Sequence, residues 1–337
     1  MRTQLRTAVA LVAAVATLSL AACSSGSDDD TEPTGDGDTT TSSEAGAGEG
    51  EWPRTVEHEA GSTEITEQPL RIVSTSITLT GTLLAIDAPV VASAATTVGP
   101  LTDDDGFFTQ WADVAAERGV EVLYPDLELD LEAIEVAEPD LIVGSTTGAD
   151  ATTDAYDQLS EIAPTILLDY GSYSWQDLAE ILGEATGLEE QASTVVSDFD
   201  TWVGEQAASI TLPAQPTTAL VYNGADGVMV FTPESAQGTL LADLGFEYVG
   251  ADAEFADTAR TDAWAVTQEN AAAALEPVQT ILLVFTADTE ALLADPLLAN
   301  QAAVAGESVA ALGLTSFRID YYSATELVEL VVETYGS

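Results

Sequence analysis

The residues able to do chemistry are few, and their scarcity narrows the function. The chain has one Cys, Cys23, and one His, His58. A single thiol and a single imidazole supply neither an internal disulfide nor a zinc cluster. A Ser-His-Asp arrangement would have to use His58, near the start of the mature chain, and no Gly-x-Ser-x-Gly elbow is present. The chain is therefore read as a binding protein and not an enzyme. Its cations are seven Arg and no Lys, set against 58 acids in 337 residues, for a net charge of −51. Such a surface repels phosphate backbones, which excludes nucleic-acid partners. Beyond Arg2 and Arg6, only Arg54, Arg71, Arg118, Arg260 and Arg318 remain. An Arg fork kept in a cleft of this chain would make a local positive site for an anion.

The lone Cys has its own explanation. Arg2 and Arg6 precede an apolar run from Ala8 to Leu20, and Leu20-Ala21-Ala22-Cys23 follows. Residues 1–22 read as a lipoprotein signal peptide, too short to span a membrane, with Cys23 as the lipidation site. Removing that segment takes away two Arg and no acid, so the charge moves from −51 to −53. Residues 23–51 are rich in Asp, Thr, Ser and Gly, with no aliphatic side chain larger than Ala. They are expected to be a disordered acidic tether that holds the body at the outer face of the membrane.

Stepping along the body, short branched runs read as buried parallel strands: 71–74, 89–93, 140–144 and 165–169, then 218–222, 228–231, 280–285 and 308–312. Apolar residues recur at helical spacing over 129–137 and 155–162. Leu178, Ile181, Leu182 and Ala185 make a helical stripe stopped by Gly187, and a longer helix over 188–210 follows. The expected fold is α/β, with two Rossmann-like lobes, 52–187 and 211–337, joined by the single long helix and enclosing a ligand cleft. Lobe interfaces are favoured ligand sites.

Several segments carry a family resemblance. Arg71-Ile72-Val73-Ser74-Thr75-Ser76-Ile77-Thr78-Leu79-Thr80-Gly81, Asp104-Asp105-Gly106-Phe107-Phe108-Thr109-Gln110-Trp111 and Tyr156-Asp157-Gln158-Leu159-Ser160-Glu161-Ile162 resemble the ferric enterobactin-binding proteins. So do Thr232-Pro233-Glu234-Ser235-Ala236-Gln237-Gly238 and Ser316-Phe317-Arg318-Ile319-Asp320-Tyr321-Tyr322-Ser323-Ala324. The likeness runs from Pro53 to the C-terminus. It implies the helical-backbone class (class III) of ABC-transporter binding proteins, with modest closure around the ligand.

On that resemblance, Arg318 and Arg260 are the expected ligand-binding Arg residues, with Asp262 and Asp320 as competing partners. Phe231 stands where the family carries Trp before Thr-Pro-Glu-Ser, and Tyr222, Tyr321 and Tyr322 are further candidates for the second lobe. In the first lobe, Ser74 to Thr80, Thr96-Thr97 and Ser145-Thr146-Thr147 fall after strands and offer donors. Arg71 and Arg118 read as structural. Permease docking is expected at Glu234 on one lobe and at Asp154, or Asp150, on the other. The implied ligand is a ferric catecholate siderophore, a trianion with aromatic rings that suits Arg forks and aromatic faces. Its iron is carried by the chelate, with no protein metal ligand and no other cofactor. The expected state is a monomer. A ferric hydroxamate or cobalamin binder, or a surface sensing or adhesion lipoprotein of the same fold, is the alternative.

Overall fold

The computed structural model describes residues 52–259, 262–286 and 289–336. The signal peptide, Cys23, the tether and Arg260 lie outside the described residues.

The body opens with a hairpin, β1 (Arg54–His58) and β2 (Gly61–Ile65). It then alternates β3 (Ile72–Ser74), α1 (Ile77–Ala85), β4 (Val90–Ser93), α2 (Thr109–Arg118), β5 (Glu121–Val122), α3 (Leu131–Val136), β6 (Leu141–Ser145), α4 (Tyr156–Ile162) and β7 (Thr165–Leu168). These strands form an all-parallel sheet in the order β5-β4-β3-β6-β7. The short branched runs Ile72–Ser74, Leu141–Ser145 and Thr165–Leu168 are buried throughout, as strands covered on both faces must be. The hairpin lies against β7, where the Thr63 hydroxyl donates to the Thr165 carbonyl at 2.7 Å. His58 bonds Thr63 at 3.0 Å, and burial lowers its pKa, so the lone imidazole is a packing group.

α5 (Trp175–Thr186) starts at a Ser174/Asp177 capping box and stops at Gly187, whose φ of 72° is the left-handed cap. α6 (Glu189–Ala207) follows directly and spans 19 residues, about 28 Å at 1.5 Å per residue. The second half then runs β8 (Thr217–Tyr222), β9 (Val228–Phe231), α7 (Ala236–Asp243), β10 (Thr258–Ala259), β11 (Ala263–Val266), α8 (Gln268–Ala274), β12 (Thr280–Leu283), α9 (Glu290–Leu293), α10 (Ala302–Ala305), β13 (Val309–Ala311) and α11 (Tyr321–Tyr335). The second sheet, in the order β10-β11-β9-β8-β12-β13, is mixed. β8, β12 and β13 are parallel, whereas β9 returns antiparallel to β8. Asn223 to Gly227 are too few residues for the crossover that a parallel return requires, so the Rossmann pattern holds for half of this sheet only.

α11 ties the halves together. Its Leu327, Val328 and Val331 are buried in one continuous apolar cluster that also holds Leu83 of α1, Trp111 of α2 and Phe199 of α6. Each such side chain contributes about 1.5–3 kcal/mol. A core shared this way restricts how far the lobes can part.

Candidate functional site

Segments that follow β4 in the first sheet and β12 and β13 in the second line a common space, the usual ligand position in open α/β sheets being beyond the carboxyl ends of strands. A cavity of about 230 Å³ lies there. Leu101, Phe108 and Gln110 line it from the first lobe, and Phe285, Leu314, Thr315, Phe317 and Arg318 from the second. A larger hollow, about 500 Å³, sits at the β5 edge of the first sheet beside Arg71 and Arg118. Both of those Arg are committed. Arg71 donates to the Ala137 carbonyl at 2.8 Å, and Arg118 pairs with Asp87 at 2.6 Å.

Arg318 differs from them. Among the described residues the salt bridges are Arg54–Glu189 and Arg118–Asp87, and no carboxylate lies within pairing distance of Arg318. Its guanidinium instead lies 5.1 Å from the Tyr170 ring of the first lobe and 5.4 Å from the neighbouring Phe317 ring. Asp320, two residues on, is occupied elsewhere. It caps α11 by accepting from the Ser323 amide at 2.9 Å and receives the Gln110 side chain at 3.3 Å. Burial pushes its carboxyl up to about 6.

The Arg318 segment is fixed by its own surroundings. Gln237 of α7 donates to the carbonyls of Ser316 at 2.8 Å and Phe317 at 3.1 Å. The Ser323 hydroxyl donates to the Arg318 carbonyl at 2.7 Å, and the Ser316 hydroxyl accepts from the Phe285 amide at 3.1 Å. The two stretches singled out in the second half, 232–238 and 316–324, therefore hold each other. Phe285 has φ 64° and is 43% exposed, an unusual backbone for a bulky residue and one characteristic of functional sites.

Tyr170, just beyond β7, is anchored from below. Its hydroxyl donates to Asp150 at 2.9 Å, and Asp150 also accepts from the Ser76 hydroxyl at 2.5 Å and the Thr78 amide at 3.3 Å. Burial, reinforced by the Asp150 charge, pushes the Tyr170 hydroxyl up to about 12, so it stays neutral.

Three of the expected ligand residues fall elsewhere. Phe231 is 1% exposed, packed edge-on at 6.2 Å behind Phe317, so Phe317 presents the ring that Phe231 was expected to offer. Tyr222 faces the cluster on the opposite side of the second sheet and donates to Asp295 at 2.7 Å. Burial, then this bond, pushes its hydroxyl up to about 12. Tyr321 packs against Trp175 at 5.6 Å and Phe199 at 6.0 Å, at the junction of α5, α6 and α11. Tyr322 meets the Tyr321 ring edge-on. Asp150 is buried and fully engaged, so it offers no docking charge, whereas Asp154 and Glu234 are exposed. Most first-lobe hydroxyls are spent internally: Ser76 on Asp150, Thr80 on Ser93, Thr97 on Asp126, Ser145 on Thr147. Among the described residues no group of three His, Cys, Asp or Glu side chains is placed to hold a metal, and no helix is long and apolar enough to cross a membrane.

The cavity residues not named as candidates from the sequence are Leu101, Phe108, Gln110, Phe285, Leu314, Thr315 and Phe317, and Tyr170, which touches Arg318, was not named either. Phe317 carried a signal, since it adjoins Arg318 in a motif already singled out.

Known proteins share this fold. A periplasmic binding protein family model matches residues 72–313. The ferric enterobactin-binding periplasmic protein FepB of Escherichia coli (strain CFT073) is 44% identical over 286 residues, covering 83% of this chain and 90% of that protein. The probable siderophore-binding lipoprotein YfiY of Bacillus subtilis (strain 168) is 27% identical over 58% of this chain and 57% of its own length. The crystal structure of holo-ViuP superposes with a TM-score of 0.78 at 38% identity, covering 86% of this chain and 97% of that one. The chain belongs to the periplasmic binding protein family, whose members are substrate-binding transport proteins and not enzymes.

Proposed function

We propose that this chain is the extracytoplasmic receptor of an ABC importer for a ferric catecholate siderophore, anchored to the outer face of the membrane through lipid on Cys23. The observation that carries the ligand class is Arg318, a guanidinium without a carboxylate partner among the described residues, flanked by aromatic rings in a cavity between the lobes. In a chain with 58 acids, a cation left unpaired there favours an anionic ligand, and the Phe285 and Phe317 rings suit catechol faces. The enterobactin binder at 44% identity supports the same class, and the relative described as a lipoprotein supports the anchor. Iron arrives inside the chelate. Exposed Glu234 and Asp154 supply the acidic contacts for basic pockets on a permease, and the receptor acts as a monomer.

The test is a tryptophan fluorescence titration of the unlipidated chain with ferric enterobactin, iron-free enterobactin and a ferric hydroxamate. Saturable quenching by the ferric catecholate, much weaker with the other two, is expected. A selective response to the hydroxamate, or no response at all, would overturn the ligand assignment.

A further inference from the structure

Resting on that reading, the geometry points to Tyr170 as the residue that sets charge specificity from the first lobe: its ring, locked beneath by Asp150 and Gly148, holds the Arg318 guanidinium across the cleft, with no carboxylate paired to it among the described residues.

Three observations converge on this side chain. The first is the contact itself, 5.1 Å from the Arg318 Cζ to the Tyr170 ring centroid, bridging elements of the two lobes. The second is the anchor below it, where the Tyr170 hydroxyl donates to Asp150 at 2.9 Å. Asp150 is 5% exposed and is itself held by Ser76 and Thr78. The third is Gly148, with φ 81°, where a Cβ atom would collide with the Tyr170 hydroxyl. A ring held by a buried carboxylate, and fitted against a position that only glycine leaves open, has little freedom to move.

The chemistry explains why a ring serves where an acid would not. A carboxylate opposite Arg318 would neutralise the guanidinium and occupy its fork. An aromatic face attracts the same cation through its quadrupole and leaves the in-plane N–H donors for a ligand. With acids so abundant in this chain, holding an Arg unpaired requires a holder that carries no charge. The half-buried Tyr170 ring, its hydroxyl neutral and bonded to Asp150, is such a group.

Tyr170 is thus a positioning residue, acting through Arg318. Its test has two readouts. In the unliganded protein, the Arg318 Nε–H resonance, assigned by its loss in Arg318→Ala, should lie upfield from ring current and move downfield in Tyr170→Leu. Tyr170→Phe, which keeps the ring but cuts its bond to Asp150, and Gly148→Ala, which displaces the hydroxyl without deleting the ring, should each shift it part of the way. In titrations, Tyr170→Leu should weaken ferric enterobactin about tenfold and neutral ferrichrome less than twofold. In an Arg318→Ala background, Tyr170→Leu should add less than twofold for either chelate. An Arg318 resonance indifferent to both Tyr170→Leu and Gly148→Ala would overturn the proposal whatever the ligand is. So would a Tyr170→Leu loss that persists undiminished in the Arg318→Ala background. Failure of the wild type to bind any chelate, with the resonance shifts as expected, would instead refute the receptor reading while leaving the Tyr170–Arg318 pairing in place.

Discussion

Replacing Arg318 with Ala removes the cation that the cavity presents to an anionic ligand, and the structure sets the size of the effect. A charge-assisted hydrogen bond contributes about 1.5–3 kcal/mol. A unit charge pair 4 Å apart at an effective dielectric near 20 contributes about 4 kcal/mol. Arg318 is half-buried, which leaves part of that attraction screened by water. The expected loss is therefore about 2–4 kcal/mol, equivalent to a 30- to 1,000-fold weaker complex with ferric enterobactin. Arg318→Lys keeps the charge but not the planar fork, and should lose about tenfold. Because no carboxylate among the described residues depends on Arg318 for pairing, thermal stability should change by no more than about 2 °C. The assay is the fluorescence titration repeated on each variant, with circular dichroism melting as the folding control. A folded Arg318→Ala protein that binds the ferric catecholate within threefold of wild type would refute the reasoning, as would an equal loss for an uncharged hydroxamate chelate.

Other perturbations probe the frame around the cavity. Gln237→Ala strips the donor from the Ser316 and Phe317 carbonyls, and should destabilise the fold by about 1–3 kcal/mol in urea denaturation while also weakening ligand binding. Gly81→Ala should destabilise despite better helix propensity, because the new methyl would strike the Asp320 carboxylate and approach Trp111 to 2.9 Å. A loss of about 1–3 kcal/mol is expected, and a gain would show that the α1–α11 junction is loose. Asp320 has its native pKa raised from 3.8 to about 6 by burial. The native state then binds its proton more tightly than the unfolded chain does, so this group's contribution to stability is full below pH 4 and is lost as pH rises through 6. Asp320→Asn, which can still cap α11, should flatten that part of the pH–stability curve, and an unchanged slope between pH 4 and 6 would contradict the assignment.

Strands β3, β4, β6, β7, β8, β9, β12 and β13 were legible because buried strands are short branched runs with little else in them, although β9 runs antiparallel, and the more exposed hairpin β1-β2 and the short pair β10-β11 were not read. α5 announced itself through its stripe and Gly187, and α6 through its length. Other elements hid for physical reasons. Ile77–Ala85 contains three Thr and a Gly, poor helix formers, so Ser74 to Thr80 read as a donor loop. It is a helix because Ser76 caps it and because the surrounding core buries nearly every face. The two-residue β5 carries no periodicity, and α11 lay partly inside a motif read for its ligand chemistry. Arg318 stood out because its segment resembles one whose Arg contacts ligand in the family, in a chain with few cations. Phe231, Tyr222 and Tyr321 were misleading because an aromatic side chain at a strand or helix end has the same sequence signature whether it lines a cavity or fills a core. Tyr170 was invisible because its role comes from Asp150 and Gly148 below it and Arg318 across the cleft, partners that only folding brings together.

The most direct measurement is the anomalous diffraction of iron in crystals of the protein grown with ferric enterobactin. One strong iron peak between the lobes is expected, with catecholate rings against Phe317 and Phe285 and oxygen atoms within hydrogen-bond reach of the Arg318 guanidinium. An iron-chelate peak remote from Arg318, such as in the hollow beside Arg71 and Arg118, would contradict it.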